Sequence, residues 1–124
     1  MCRILVVDDE DAILFAYKKT LGGPRITVDT AQSFRAAWRL NQLKSYNAII
    51  TDLRLSDAAV KEGFTVIKET RRIQTECAII VITGHGESGT REKALNLGAD
   101  LFLEKPVDPG KIKELLQSMY VLPE

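Results

Sequence analysis

The stretch Ala48-Ile49-Ile50-Thr51-Asp52 constrains this chain more than any other, because a short run rich in β-branched residues that halts on an acid reads as a buried parallel strand. A strand covered on both faces loses the polar alternation of an exposed one. Its carboxyl end opens onto the crevice where open α/β sheets place their ligands. Three further runs have the same form: Arg3 to Val7 precedes Asp8-Asp9-Glu10, Ala78 to Ile82 precedes Thr83, and Leu101-Phe102-Leu103 stops at Glu104-Lys105-Pro106. A shorter strand-like run spans Ile26 to Asp29.

Between these runs lie segments with helical spacing and end signals. Asp11 is placed to cap a helix through Leu21, with Ile13, Ala16 or Tyr17, and Leu21 inward, and Gly22-Gly23-Pro24 stops it. Ser33 caps a second helix with Ala36, Leu40 and Leu43 on its inward face, and Trp38 also reads as core. Leu53 to Glu62 is a long connection containing the turn signal Ser56-Asp57, and Gly63 opens a third helix carrying Phe64, Ile67 and Thr70 inward. The segment Gly84 to Gly89 leads into a helix that ends at Leu97, where Gly98 suits a positive φ. Asp108-Pro109 starts the last helix, whose Ile112, Leu115, Leu116 and Met119 follow i, i+3, i+4, i+7 spacing. Strict alternation of strand and helix, with connections too long for hairpins, predicts right-handed crossovers and a single domain over residues 1–124. The expected fold is a (βα)5 flavodoxin-like three-layer sandwich on a parallel five-stranded sheet of order 2-1-3-4-5. In that order the first and third strands are neighbours, so Asp8, Asp9 and Asp52 share one crevice.

At 124 residues the chain is the size of one domain. Its 17 basic and 17 acidic residues leave no net charge, so the basic footprint of a protein that binds nucleic acid directly is missing. Cys2 and Cys77 read as small core or strand-edge residues in a reducing compartment rather than a disulfide scaffold. No stretch approaches the about 18 apolar residues of a membrane span, and Met1 runs straight into a strand. The expectation is a cytoplasmic protein that contacts neither membrane nor nucleic acid directly.

Three carboxylates in one crevice repel one another and need either a retained proton or a cation. A hard divalent ion such as Mg²⁺, with Mn²⁺ as a substitute, suits oxygen ligands of this kind. Asp52 is then a candidate nucleophile toward a phosphoryl group, with the Lys105 ammonium offsetting charge and the Thr83 hydroxyl reaching a phosphoryl oxygen. The set Asp8-Asp9, Asp52, Thr83 and Lys105-Pro106, each at a strand's carboxyl end and in this order, closely resembles the receiver domain of two-component response regulators. The resemblance covers essentially the whole chain. It implies that Asp52 is the phosphoacceptor and that Asp8, Asp9, Asp52 and the backbone carbonyl of Arg54 hold the metal. By the same likeness Thr83 and Lys105 contact the phosphoryl group, Thr83 and Phe102 are the switch pair, and the Lys105-Pro106 peptide is cis. It further implies phosphotransfer from a histidine kinase or histidine phosphotransfer protein, self-catalysed phosphorylation and dephosphorylation without metabolic turnover, and an output domain on a longer chain. A homodimer would form through the face of the fourth helix, fifth strand and fifth helix. Thr83-Gly84-His85-Gly86 and Phe102 to Pro106 are most similar to receivers of nitrogen-regulatory type activators.

The chain departs from that pattern after the acceptor position. Receivers usually carry a proline four residues on and a glycine eight on; here Ser56 stands at the first and Gly63, eleven on, is the first glycine. The loop is about three residues longer. Other readings compete. A module that keeps the fold without phosphorylation is favoured by the altered loop and opposed by the complete acidic and lysine positions. A haloacid dehalogenase type phosphohydrolase has only half its motif in Asp9-Glu10-Asp11-Ala12-Ile13. Gly84, Gly86 and Gly89 match the dinucleotide fingerprint, with Glu104 about twenty residues on, but too little chain follows for that fold's second half. His85, the one histidine, reads as a loop residue near the phosphoryl site.

Overall fold

The computed structural model describes residues 2–55, 60–84 and 89–122, and within them five strands and five helices alternate. They are β1 (Cys2–Val7), α1 (Asp11–Leu21), β2 (Ile26–Ala31), α2 (Phe34–Leu43), β3 (Ala48–Thr51), α3 (Val60–Ile73), β4 (Ala78–Thr83), α4 (Thr90–Leu97), β5 (Leu101–Glu104) and α5 (Pro109–Ser118). All pairings are parallel and the order is β2-β1-β3-β4-β5, as the alternation predicts. Because side chains alternate across a strand, the near-continuous apolar runs feed two separate cores. Leu5, Val7, Ile49, Ile79 and Val81 pack under α2, α3 and α4, whereas Ile4, Val6, Ile50, Ile80 and Ile82 pack under α1 and α5. Each such side chain, fully buried, contributes about 1.5–3 kcal/mol. The central strands are therefore the stiffest part of the frame that carries the polar residues at their carboxyl ends. Among the described residues no helix is long and apolar enough to cross a membrane.

Several helix phases and ends differ from the sequence reading. Glu10, not Asp11, precedes α1 and gives no side-chain cap; Asp11 is the first helical residue, where its charge complements the helix dipole and its carboxylate accepts from the Gln32 side-chain Nε2. Ser33 does cap α2, accepting from the Ala36 amide at 3.1 Å, but the cap sets a phase in which Phe34, Ala37 and Asn41 are buried. Ala36 and Leu43 face outward, Leu40 is half-buried, and Trp38 is half-buried at the rim rather than in the core. Asn41 can lie inward because its amide donates to the Thr70 hydroxyl at 2.9 Å, a pairing that an apolar-periodicity reading cannot see. Helix α3 starts at Val60, so Gly63 lies inside its first turns rather than opening it. A Cβ at Gly63 would stand 2.7 Å from the Leu53 carbonyl oxygen, so the glycine lets α3 press against the backbone leaving β3. Strand β2 runs two residues further than expected because pairing with β1 continues to Val7 and Ala31. Ser56-Asp57 and His85 lie outside the described residues.

Candidate functional site

Each polar residue at a strand end is still held by the sheet's hydrogen-bond ladder. The Asp8 amide donates to the Ala31 carbonyl (3.1 Å), the Asp52 amide to the Val7 carbonyl (3.1 Å) and the Lys105 amide to the Thr83 carbonyl (2.9 Å). Three backbones on three strands are thus fixed relative to one another before any side chain is considered. The carboxylates are then aimed by their own loops: Asp8 Oδ1 accepts from the Glu10 amide and Asp52 Oδ1 from the Arg54 amide, each at 3.0 Å. This leaves Oδ2 of each acid to meet Lys105, whose Nζ lies 2.9 Å from Asp8 and 2.8 Å from Asp52. Both acids are buried.

One ammonium therefore offsets two buried carboxylates that would otherwise repel each other. Burial alone would lower the Lys105 pKa, but hydrogen bonds to Asp52 and Asp8, with their charges, outweigh it and hold the ammonium above the ordinary lysine range. The crevice differs from the three-acid pocket read from the sequence, since no group of three or more metal-ligating side chains gathers among the described residues. Asp9 follows Asp8 in the loop before α1 and is half-buried. The donors present nonetheless fit a hard divalent cation in kind: carboxylate oxygens from two strands, converging at a partly open edge.

Thr83 is buried as the last residue of β4, in register with Glu104, one residue before Lys105. Phe102 is buried in the core beneath α2, α3 and α4, while Leu101 and Leu103 pack on the opposite, α1 and α5, side of the strand. The Lys105-Pro106 peptide is cis. Of the fingerprint glycines, Gly86 lies outside the described residues and Gly89 takes φ +84° just before α4. Only β5 follows in the sheet, so the segment serves as the β4–α4 connection and the second half of a dinucleotide fold is missing among the described residues.

The sequence reading missed a cavity of about 410 Å³ beside the acids. Ile13, Ala16, Tyr17, Val107 and Pro109 line it together with Asp8, Asp52 and Lys105. Helical spacing left the inward position open between Ala16 and Tyr17; the only further signal was that one of the two carried a hydroxyl.

The sequence profile of the response regulator receiver domain matches residues 4–117. Response regulator protein PilR of Pseudomonas aeruginosa is 31% identical over 114 residues, an alignment covering 92% of this chain and 25% of that protein. A CheY-like response regulator receiver domain protein from Methanospirillum hungatei superposes with a TM-score of 0.87 at 27% identity, over 96% of this chain and 93% of that one. A response regulator from Burkholderia pseudomallei, solved with a phosphorylated aspartic acid, a calcium ion and citrate, shares the fold with a TM-score of 0.82 at 24% identity, over 97% and 73% of the two chains. The present chain spans 60% and 25% of the length of the first curated relatives it matches.

Proposed function

This chain belongs to the response regulator receiver domain family, and from that premise we propose that Asp52 is its phosphoacceptor and that phosphorylation there drives a two-state switch. The observation that carries the reading is the shared ammonium: Lys105 Nζ at 2.8 Å from Asp52 and 2.9 Å from Asp8. A carboxylate oxygen of Asp52 attacks the phosphorus of a phosphohistidine, the P–N bond breaks, and the imidazole keeps the electron pair. Lys105 offsets the charge that the acceptor gains, and Asp8 holds Lys105 in place until then. Asp8, Asp9, Asp52 and the Arg54 carbonyl would hold a divalent cation, Mg²⁺ by preference, which when bound would supply charge neutralisation at the phosphoryl oxygens.

The Thr83 hydroxyl then turns to the phosphate and Phe102 moves further inward, which alters the face of α4, β5 and α5. The phosphate shifts that equilibrium only by as much as it contacts the active state better than the inactive one. The phosphodonor is a histidine kinase or histidine phosphotransfer protein, met in the cytoplasm. Since curated relatives extend well beyond this length, an output domain on a longer chain, or a homodimer through that face, receives the signal. Acetyl phosphate with Mg²⁺ tests the acceptor assignment. A Phos-tag gel is expected to show a slower band for the wild type and none for Asp52→Asn; a shift that survives in the variant rejects Asp52.

A further inference from the structure

The cavity beside the acids extends past the groups that phosphoryl transfer uses, into an apolar space. Its walls are apolar, from Ile13 and Ala16 of α1 to Val107 and Pro109 around the start of α5. Its polar groups are unbalanced: Asp8, Asp52 and Glu10 line it against one cation, Lys105. Tyr17 adds a second, independent observation. The residue is 4% exposed. Tyr17 lines the cavity, and its hydroxyl makes no hydrogen bond among the described residues; since every fully enclosed side-chain polar atom there has a partner, this hydroxyl is open to the space beside it. A phenol is neutral near pH 7 and keeps an oxygen lone pair to offer. A largely apolar space of this size with a few convergent polar groups has the form of a small-molecule site.

We propose that the cavity binds a small organic ammonium ion. The apolar body of the ligand fills the space between Ile13, Ala16, Val107 and Pro109, and its N–H groups donate to the Asp8 and Asp52 carboxylates and to the Tyr17 phenol oxygen. A neutral ligand would leave the excess of carboxylates unanswered, and an anion would add to it. A bare metal ion would leave the apolar walls without a partner. The amine and a divalent cation draw on the same two carboxylates, so each weakens the other by linkage; this clause rests on the metal reading given above. Such a ligand would hold the domain in its unphosphorylated state.

The test is a titration of the whole chain in metal-free buffer with 2-phenylethylammonium, followed through backbone amide NMR shifts, with uncharged 2-phenylethanol and the variant Tyr17→Phe alongside. Saturable shifts centred on Ile13, Ala16, Tyr17 and Val107 are expected, with affinity about tenfold lower for the alcohol and about fivefold lower for the variant, as loss of a charge-assisted hydrogen bond implies. Scattered or non-saturating shifts overturn the proposal. So does equal affinity for the alcohol, which would mean apolar adhesion alone, or an unchanged affinity in Tyr17→Phe, which keeps the ring and its packing. Adding Mg²⁺ should raise the apparent dissociation constant of the amine. If Mg²⁺ instead leaves the Asp8 and Asp52 amides unmoved, the metal reading fails while the metal-free titration still decides the amine site.

Discussion

Both ends of the sheet hold a half-buried cation among oxygens, and they differ in what those oxygens are attached to. At the amino ends of β4 and β5, Arg71 of α3 donates through Nε and Nη2 to the Gly98 carbonyl at 3.1 and 2.7 Å and through Nη1 to the Thr75 and Cys77 carbonyls at 2.8 and 2.9 Å. Its Nη2 also reaches Asp100 at 2.8 Å, and the same carboxylate oxygen accepts from the Ile79 amide at 2.8 Å. The Gly98, Thr75 and Cys77 acceptors are backbone carbonyls, which cannot leave without unfolding part of the chain. A rigid guanidinium fork suits that task. At the carboxyl ends, Lys105 presents a compact charge to two side chains from different strands, each free to take another cation or another group. The amino end fastens α3, β4 and β5 together; the carboxyl end keeps a charge balance that can be rearranged.

The contrast orders the expected effects of substitution. Arg71→Ala is expected to cost most, about 3 kcal/mol, because the part-buried Gly98 and Cys77 carbonyls lose their donor together with two more exposed acceptors, the Thr75 carbonyl and the Asp100 carboxylate. Urea unfolding measures it, and a loss below about 0.5 kcal/mol, the level of an ordinary surface change, would dissolve the contrast. Lys105→Ala should cost less, about 1–2 kcal/mol in metal-free buffer, since the lysine is partly exposed and solvent screens part of the interaction. Mg²⁺ should recover that loss by binding the folded form, as the melting temperature with and without the ion would show. The sign with pH follows from the raised lysine pKa. Its stabilisation is fully present below the unfolded value of about 10.4 and fades as pH rises through the folded value, so the gap between wild type and variant should narrow only in strong alkali. Asp52→Asn removes one of two acids facing one ammonium, and should leave stability within about 1 kcal/mol of wild type or raise it, while abolishing phosphorylation. The smallest effect concerns Cys77 at the fastened end. Burial pushes its thiol up to about 12, with the Arg71 charge only partly offsetting, so a thiol reagent should label it only on unfolding.

The architecture was legible because four runs state the same thing: apolar through the strand, polar at the end. That pattern marked Asp8, Asp52, Thr83 and Lys105 at strand carboxyl ends, while the alternation of strand and helix, fitted to a 2-1-3-4-5 order, put Asp8, Asp9 and Asp52 in one crevice before any coordinates. Helix phase was less legible. The inward face of α2 includes Asn41, whose side-chain amide is answered there by the Thr70 hydroxyl, 29 residues away, and by the Gln74 side chain. The Arg71 clasp was invisible for a related reason, as its acceptors are carbonyls and carbonyls leave no trace in residue type. The one clue was Gly98, whose φ of +123° and the 2.8 Å approach of a would-be Cβ to the Arg71 side chain show how closely that arginine lies. Tyr17 was one of two candidates for its inward position, Ala16 being the other, and was understood only as packing. Periodicity reports which way a residue faces and says nothing of what its polar atom meets there.

The comparison between the two ends can be tested in a single experiment: backbone amide NMR of the domain before and after addition of beryllofluoride and Mg²⁺, which mimic the phosphorylated carboxylate. Large shifts are expected at Asp8 to Glu10, Asp52 to Arg54, Thr83 and Lys105, with Thr75, Cys77, Gly98 and Asp100 close to unmoved. Shifts spread evenly over both ends, or no shifts at the carboxyl end, would contradict the division between an end that fastens and an end that exchanges partners.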